Sequence, residues 1–457
     1  MELPFIDKIE RAADKIKDNT GIRLEEWPVF IAALILLVVS YIFMPNVVKF
    51  AASAALFLLP VWFPFLVLSG AVALWVILKR GEFLDSTKYV LLEIKLPRNI
   101  VKTPLAMEAF LSTLHISGGE SNWFLVWIKG SVRPFWSLEI ASFGGQVHFY
   151  IWTRVMFRKV VESQLYAQYP GVQLVEVPDY TMSMNLEPDT FGTGIWGCDF
   201  KHTAEDPLPI KTYVEYGLDK IQKEPEQTDP LSNLIEYMSS INKDEYLWLQ
   251  FVIRFHKGEK YHKKYGKGYT WKNEAEELVK KIRALTRETY IDPITGQERP
   301  GFPSPTKGQA EKIAAIERNV SKQAFDVGIR GVYLTKGKFS VVTVLHMIAL
   351  FKPFSTEGWN GINSSGWMKR FDDYPWEVGT KYYENLKNKH RRNMVEAYRR
   401  RQFFYEPFSF GINKDDIMVM STEEIATLFH IPSSTVASPS LGRIQSSTGE
   451  APANLPT

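Results

Sequence analysis

The sequence predicts a membrane-anchored α+β protein, with a helical hairpin near its N-terminus and a large mixed domain after it. Three observations lead to this class. Residues 27–78 contain one charged side chain, Lys49, whereas the rest of the 457-residue chain is as charged as an ordinary globular protein. From Lys88 onward, strand-like alternation is interspersed with helix-start signals. At the usual ~100–200 residues per domain, the chain has room for a membrane segment and two or three soluble subdomains.

Two uncharged runs form the predicted transmembrane hairpin. Residues 27–48 make a run of 22 and residues 50–78 a run of 29. Each is long enough to span a membrane, because about 20 helical residues cross the hydrocarbon core. Pro60 and Pro64 interrupt the second run, and residues 45–49 are the expected turn. The alternatives are a buried helix pair and a signal peptide, but the doubled run and its charged leader disfavour a signal peptide.

Flanking charges predict the orientation of the hairpin. The leader, residues 1–26, carries five Lys or Arg, whereas the connector carries Lys49 alone. Three more follow the second run, at Lys79, Arg80 and Lys88. Both termini and the soluble domain are therefore expected on the cytoplasmic side. Apolar residues recur at helical spacing in the leader, which fits either an interfacial helix or a helix that packs on its own protein.

Residues 84–185 carry an alternation of strand and helix signals. Helices are predicted from Thr103-Pro104 to about residue 115 and from 157 to 165. Strands are predicted at residues 89–96, 135–142, 146–153 and 171–177, the middle two joined by a turn at 143–145. This β-α-β-β-α-β order is that of a ferredoxin-like domain.

Residues 186–430 are interpreted as a second, looser copy of the same order. Strands are predicted at 196–201, 246–255, 325–334 and 417–420, and helices at 229–238 and 341–350. A charged insertion, residues 257–323, carries two amphipathic helices and separates the second strand from the third. Residues 431–457 are rich in Ser, Pro, Thr and Gly and are expected to form a flexible linker.

Catalytic motifs are missing from the sequence. A phosphate-binding loop requires G-x-x-x-x-G-K-[ST], but the nearest approach, residues 331–338, has one residue too many between its glycines and is followed by Phe339. No H-E-x-x-H pair occurs. The single cysteine, Cys198, excludes an intrachain disulfide and a cysteine-based zinc site. We therefore expect a non-catalytic chain with no cofactor and no metal.

Two basic segments are the candidate binding sites. The formal net charge of +3 is too small to indicate nucleic acid by itself, so any basic function must be local. Residues 257–272 hold six lysines interleaved with four aromatic residues, and residues 381–401 hold eight Lys or Arg. Cations beside aromatic rings suit single-stranded nucleic acid; anionic lipid and a plain solvated face are the other interpretations. The candidate contacts are Lys260, Lys263, Lys264, Lys267, Lys389, Arg391, Arg392, Arg399, Arg400 and Arg401.

Several segments resemble a known family. They are LLEIKLPRNIVKTPLAMEAF (91–110), WSLEIASFGGQVHFYIWT (136–153), VESQLYAQYPGVQLVEVPDY (161–180), DPLSNLIEYMSSINKDEYLWLQ (229–250) and MSTEEIATLFHIP (420–432). They resemble the N-terminal, non-ATPase region of the VirB/TraC-type ATPases of type IV secretion and conjugation. The resemblance is to the bacterial subgroup with a leading transmembrane hairpin and a domain of otherwise unknown function, and it rests on packing and turn patterns.

The resemblance implies a non-catalytic adaptor or scaffold of a type IV secretion or conjugation-like machine, docking a motor ATPase at the bacterial cytoplasmic membrane. Residues 447–456 resemble the linker that precedes the motor domain in longer relatives, so the ATPase is expected in trans or as a missing C-terminal domain. The expected partners are the lipid bilayer and the motor ATPase, with a homo-oligomer and DNA as further partners. The alternative is a membrane-tethered nucleic-acid-binding protein that uses segments 257–272 and 381–401.

Overall fold

The computed structural model describes most of the chain, in two units. The described residues are 26–97, 102–182, 194–220, 229–291, 298–365, 379–405, 417–432 and 443–444. The predicted leader, residues 1–26, therefore lies outside them apart from Glu26, and most of the predicted linker does so as well. Unit 1 comprises Met1–Glu82 and Trp123–Gly130, and unit 2 comprises Phe83–Asn122 and Ser131–Thr457.

The helices and strands are numbered in chain order. The helices are α1 (Glu26–Phe43), α2 (Pro45–Phe57), α3 (Leu59–Ser86), α4 (Leu105–Thr113), α5 (Trp123–Trp127), α6 (Arg158–Gln168), α7 (Pro230–Ser239), α8 (Glu259–Tyr265), α9 (Trp271–Leu285), α10 (Lys307–Ser321), α11 (Val341–Ile348), α12 (Lys381–Arg399) and α13 (Thr422–Leu428). The strands are β1 (Tyr89–Pro97), β2 (Phe135–Phe143), β3 (Gln146–Arg154), β4 (Gln173–Val177), β5 (Ile195–His202), β6 (Glu245–Phe255), β7 (Arg287–Ile291), β8 (Glu298–Pro303), β9 (Ala324–Thr335), β10 (Ile362–Ser365), β11 (Met418–Ser421) and β12 (Arg443–Ile444).

Unit 1 contains the apolar helices α1 and α2 and the part of α3 up to Glu82. By length and composition, Phe63–Ser86 is able to cross a membrane. Residues 34–43 and 45–61 pass the same test together but are bent by 118°, as a broken span or a re-entrant loop would be. The predicted turn at residues 45–49 is helical instead, because Pro45 occupies the first turn of α2, where its missing N–H is tolerated. A second break falls at Leu58.

Helix α5 also belongs to unit 1, although it lies between α4 and β2 in the sequence. The indole Nε1 of Trp75 in α3 donates a hydrogen bond to the carbonyl oxygen of Trp127, at 2.8 Å. Gly130 has φ +64° and approaches the backbone of Lys79 so closely that a Cβ would lie 2.1 Å from the Lys79 carbonyl oxygen. Residues 123–130 are thus held against α3.

Unit 2 is built on a large, mainly antiparallel sheet of ten strands. Its order is β10-β5-β9-β6-β2-β3-β1-β12, with β4 also paired to β1 and β11 also paired to β9. Every pair is antiparallel except β1 with β12. The predicted α+β class is therefore confirmed. The strand predicted at 417–420 is present as β11, but it pairs with Ala324–Val327 of β9 and does not occupy the edge beside β5.

The edge beside β5 is taken by β10, which the sequence did not predict. Its residues Ile362–Ser365 read INSS and lack the apolar alternation of a strand. They are extended because they pair with Asp199–His202 of β5.

Alternate residues of the strands face two apolar layers. Leu92 belongs to the layer that contains the apolar faces of α4, α6, α7, α11 and α13, whereas its neighbour Leu91 belongs to the layer under α12. Both sides of the sheet are therefore covered, which explains why its central strands β2, β6 and β9 are buried along nearly their whole length.

The insertion, residues 257–323, contains the two predicted amphipathic helices as α9 and α10. Both begin with a capping box, at Thr270 and Thr306. They pack together through Ala275, Val279, Ile282, Ile313 and Ile316. The insertion also contains α8 and the β7–β8 hairpin, which were not predicted.

Candidate interaction surface

Helix α12 carries most of the basic segment 381–401. Its buried residues Met394, Val395, Ala397 and Tyr398 lie within its last turns and pack on the sheet. The remainder of the helix is polar and mostly exposed or half-buried, which explains its amphipathic pattern. The charged residues of its last turns, Glu396 and Arg399, are half-buried.

Lys389 and Arg392 are the exposed candidates of this helix. Arg391 is half-buried and its Nη1 donates to Asn388 Oδ1 at 3.1 Å. Burial lowers the pKa of the Arg391 guanidinium from its ordinary value, with Glu384 opposing that effect. Lys381 and Glu384 in the first turn are exposed as well, so the exposed charges of α12 lie in its first and middle turns.

Arg401, the last predicted contact, is buried in the protein. Its Nε lies 2.9 Å and its Nη2 3.2 Å from the two carboxylate oxygens of Glu139, and Nη1 forms a short contact with Asp179. The guanidinium also lies 5.5 Å from the Trp152 ring centroid. The prediction that Arg401 contacts nucleic acid or lipid is wrong, because its charge is already neutralised by two acidic side chains on the inner side of α12.

Arg399 and Arg400 line a cleft of about 510 Å³ on unit 2. Arg399 Nε donates to the Thr181 carbonyl oxygen at 3.2 Å, and its Nη1 lies 3.0 Å from Glu396. Arg400 Nη1 lies 3.2 Å from Asp85. Each is therefore engaged by the protein's own acceptors, and the carboxylates beside them reduce the attraction that the cleft exerts on an anion.

Lys260 of the first basic segment is also committed to the fold. Its Nζ lies 2.5 Å from Asp206 Oδ2 and 3.0 Å from the Ile417 carbonyl oxygen. Burial by itself raises the pKa of the Asp206 carboxyl, but Lys260 and His202 outweigh that effect and hold the pKa well below its usual range. The charge of Lys260 thus compensates a buried carboxylate, and its contact with phosphate stays a prediction.

The aromatic residues of segment 257–272 divide into buried and surface members. Tyr261 and Trp271 are buried and cannot stack on a base. Tyr265 is exposed, with its ring centroid 4.3 Å from that of Tyr269, and Lys267 is exposed nearby. The side chains of Lys263 and Lys264 lie outside the described part of the structure. The surface that remains for stacking and phosphate contact is thus small.

The sequence did not reveal which acidic side chains pair with these cations. Glu139 and Asp179 lie 262 and 222 positions from Arg401, so no local pattern could have linked them. Among the described residues, no group of three or more His, Cys, Asp or Glu is arranged to hold a metal ion. Gly331, the first glycine of the nearest phosphate-loop match, lies within β9 rather than in a loop.

Together these features define an α+β protein with a large antiparallel sheet, a basic surface helix and an apolar helical segment before the sheet. The family model of a domain of unknown function, DUF8128, matches residues 82–442. Because the match covers most of the chain, the protein belongs to this family. No curated protein and no solved structure matches it. The family's description states no activity.

Proposed function

We propose that this protein is a membrane-anchored, non-catalytic adaptor of a type IV secretion or conjugation-like machine, with its α+β domain on the cytoplasmic side. Helix α3 is the observation that carries the proposal. Its uncharged part, residues 59–78, has 20 residues and a length of about 30 Å at 1.5 Å per residue, which matches the ~30 Å of a bilayer core. Its apolar side chains are largely exposed, and it ends just before β1. A membrane helix that ends two residues before β1 would tether the domain to the bilayer through the chain itself.

We infer that unit 2 consists of two ferredoxin-like units joined edge to edge. The order β4-β1-β3-β2 of the first half is matched by β10-β5-β9-β6 in the second. The second strands of the two halves, β2 and β6, are neighbours. Helices α4 and α6 follow the first and third strands of one half, as α7 and α11 do in the other. These correspondences support a duplication, with segment 257–323 inserted into the second copy.

The proposed partner of this double unit is a motor ATPase. The support is the resemblance of the sequence to the non-ATPase region of conjugation ATPases, together with an anchored domain whose sequence carries no catalytic motif. A scaffold of this kind holds its partner in place and catalyses no reaction, so we expect the partner to bind to its surface rather than in a cavity.

Purification of the tagged full chain from native membranes in a mild detergent tests this proposal. We expect an ATPase subunit to co-purify and to give measurable ATP hydrolysis. The matched control is an unrelated membrane protein with the same tag and expression level. A stable complex of the chain that contains no ATPase, found under the same mild conditions, would contradict the adaptor function.

Nucleic-acid binding is the second candidate function, because Lys267, Lys389 and Arg392 remain exposed. A salt titration of binding to a single-stranded oligonucleotide tests it. Replacing Lys389 and Arg392 with Ala should weaken binding and flatten the logarithmic salt slope by about 0.7 per lost phosphate contact. The control is Lys307→Ala, an exposed lysine of α10 outside both basic segments. If the double variant and the control give the same salt titration of oligonucleotide binding, the basic residues of α12 do not contact nucleic acid.

A further inference from the structure

Residues 123–129 form an exposed apolar segment that the proposed function does not explain. Their sequence is WFLVWIK. Trp123 is 70% exposed, Phe124 46%, Trp127 42% and Ile128 43%. Three aromatic residues exposed together within seven positions are unusual on a surface that faces only water.

The segment is fixed in place rather than merely exposed. The Trp75 indole donates to the Trp127 carbonyl oxygen, and the close approach of Gly130 to Lys79 leaves no room for a side chain at that glycine. Both contacts lie within unit 1. They hold the segment beside the part of α3 that runs from Trp75 to Arg80.

This level of α3 has the composition of a membrane–water interface. Lys79 Nζ lies 5.0 Å from the Trp75 ring centroid, and Lys129 Nζ lies 5.9 Å from that of Phe124. Trp rings and Lys side chains are enriched at the headgroup level, where the ring has an apolar body and a polar edge and the ammonium group attracts anionic lipid. The segment therefore continues the interfacial end of the candidate span.

We propose that residues 123–129 are an interfacial membrane contact, with Trp123, Phe124 and Trp127 among the lipid headgroups and upper acyl chains at the end of α3. This inference rests on the proposed membrane anchoring. A lipid bilayer is the occupant because the exposed rings are held to the same helix that would cross it. The chain leaves unit 2 at Asn122 and returns at Ser131, so the contact gives unit 2 a second attachment to the membrane segment.

Depth-dependent fluorescence quenching in the full chain tests the contact. Cysteines are introduced one at a time at Phe124, Leu68 and Glu357, with the native Cys198 retained. Each variant is labelled with an environment-sensitive fluorophore after reconstitution into nanodiscs of phosphatidylcholine and phosphatidylglycerol. Cys198 is 2% exposed, and the parent chain measures its background labelling. Lipids spin-labelled at the headgroup or deep in the acyl chain act as quenchers. We expect position 124 to be quenched by the headgroup label, position 68 by the deep label and position 357 by neither.

The three positions separate the inference from the proposal on which it rests. Quenching at position 68 without quenching at 124 would overturn the interfacial contact and leave the anchor intact. Absence of quenching at both positions would contradict the anchor itself.

A glycine variant tests whether α3 holds the segment at this depth. Gly130→Ala in the Phe124→Cys chain should reduce headgroup quenching, because its Cβ would overlap the Lys79 carbonyl. Gly118→Ala, where a Cβ meets nothing within 4 Å, is the control and should leave quenching unchanged. An unchanged signal in Gly130→Ala would overturn the role of this contact.

Discussion

At the scale of single residues, buried ion pairs determine which cations of the chain reach its surface. Among the described non-glycine residues, Arg401 alone has a positive φ, at 50°. This conformation costs roughly 1–2 kcal/mol for a residue with a side chain. It ends α12 and turns the Arg401 guanidinium toward Glu139 and Asp179. The same turn removes this cation from any external ligand.

Arg401→Ala is expected to destabilise the protein by about 3–5 kcal/mol, because it leaves buried carboxylate charge without its partner. Burial raises the pKa of Asp179, but Arg401 and the hydrogen bonds from Thr181 outweigh it and lower that pKa below 3.8. The stability from Asp179 is thus present above its unfolded pKa and is lost on acidification through the lowered pKa. Thermal unfolding in detergent measures the loss.

The matched control for Arg401 is Arg392→Ala, on the exposed part of the same helix. Its unfolding free energy should change by no more than about 0.5 kcal/mol. Equal stability of the two variants would contradict the buried-pair interpretation.

The pair of His430 and Asp229 gives a pH-dependent expectation. The imidazole Nε2 lies 3.0 Å from Asp229 Oδ2, and Asp229 caps α7. Burial lowers the pKa of His430, but the Asp229 carboxylate outweighs it, so that pKa is raised above 6.5. The resulting stability is fully present below the unfolded pKa and is lost as pH rises through the raised one.

His430→Gln should therefore flatten the fall in melting temperature between about pH 6 and pH 9, the range around the ordinary histidine pKa. His346→Gln, at an exposed position on α11, is the control and should keep the parent's slope. If the melting temperature of the parent protein rises with pH across this range, the proposed stabilisation by protonated His430 is contradicted.

At the scale of elements, glycines in the strands make room for the cover over the second face of the sheet. A Cβ at Gly197 of β5 would lie 2.4 Å from Met394 Sδ of α12. A Cβ at Gly328 of β9 would lie 2.2 Å from the Phe403 ring. Helix α12 and the residues after it can therefore pack this closely on the sheet only because positions 197 and 328 are glycines.

Gly328→Ala should destabilise the protein by about 1–3 kcal/mol, because the Phe403 ring must move from a packed position. Gly308→Ala in α10, where a Cβ meets nothing within 4 Å, should be neutral or stabilising by up to about 1 kcal/mol. Chemical denaturation of both variants compares them. A Gly328→Ala variant as stable as Gly308→Ala would show that the close approach is not structural.

Elements with local signals were predictable from the sequence, and elements specified by distant partners were not. Asp229 before Pro230 marks the start of α7, and Gly144-Gly145, with φ of 58° and 90°, marks the turn between β2 and β3. Strand β10 has no such pattern and depends on pairing with β5. The basic segments were recognised as charged, but which cations stay exposed depends on carboxylates far away in the chain.

At the scale of the whole molecule, the break between α1 and α2 determines how many spans the proposed membrane anchor has. If α1 crosses the membrane as the first span and α3 as the second, the bend between α1 and α2 lies on the far side of the bilayer. We therefore expect Asn46→Cys to react with a membrane-impermeant maleimide on intact cells. Protection of position 46 would contradict this arrangement and indicate that α1 and α2 form one broken span or a re-entrant loop within the bilayer.

The side of the membrane on which unit 2 lies tests the central claim most directly. Glu357 is exposed on unit 2, and a Glu357→Cys chain keeps the buried Cys198 as its background. After fractionation, the expected result is a membrane-bound chain whose position 357 is protected from the impermeant maleimide in intact cells and modified after lysis. Modification of position 357 in intact cells, or recovery of the chain in the soluble fraction, would contradict a cytoplasmic domain anchored by α1 to α3.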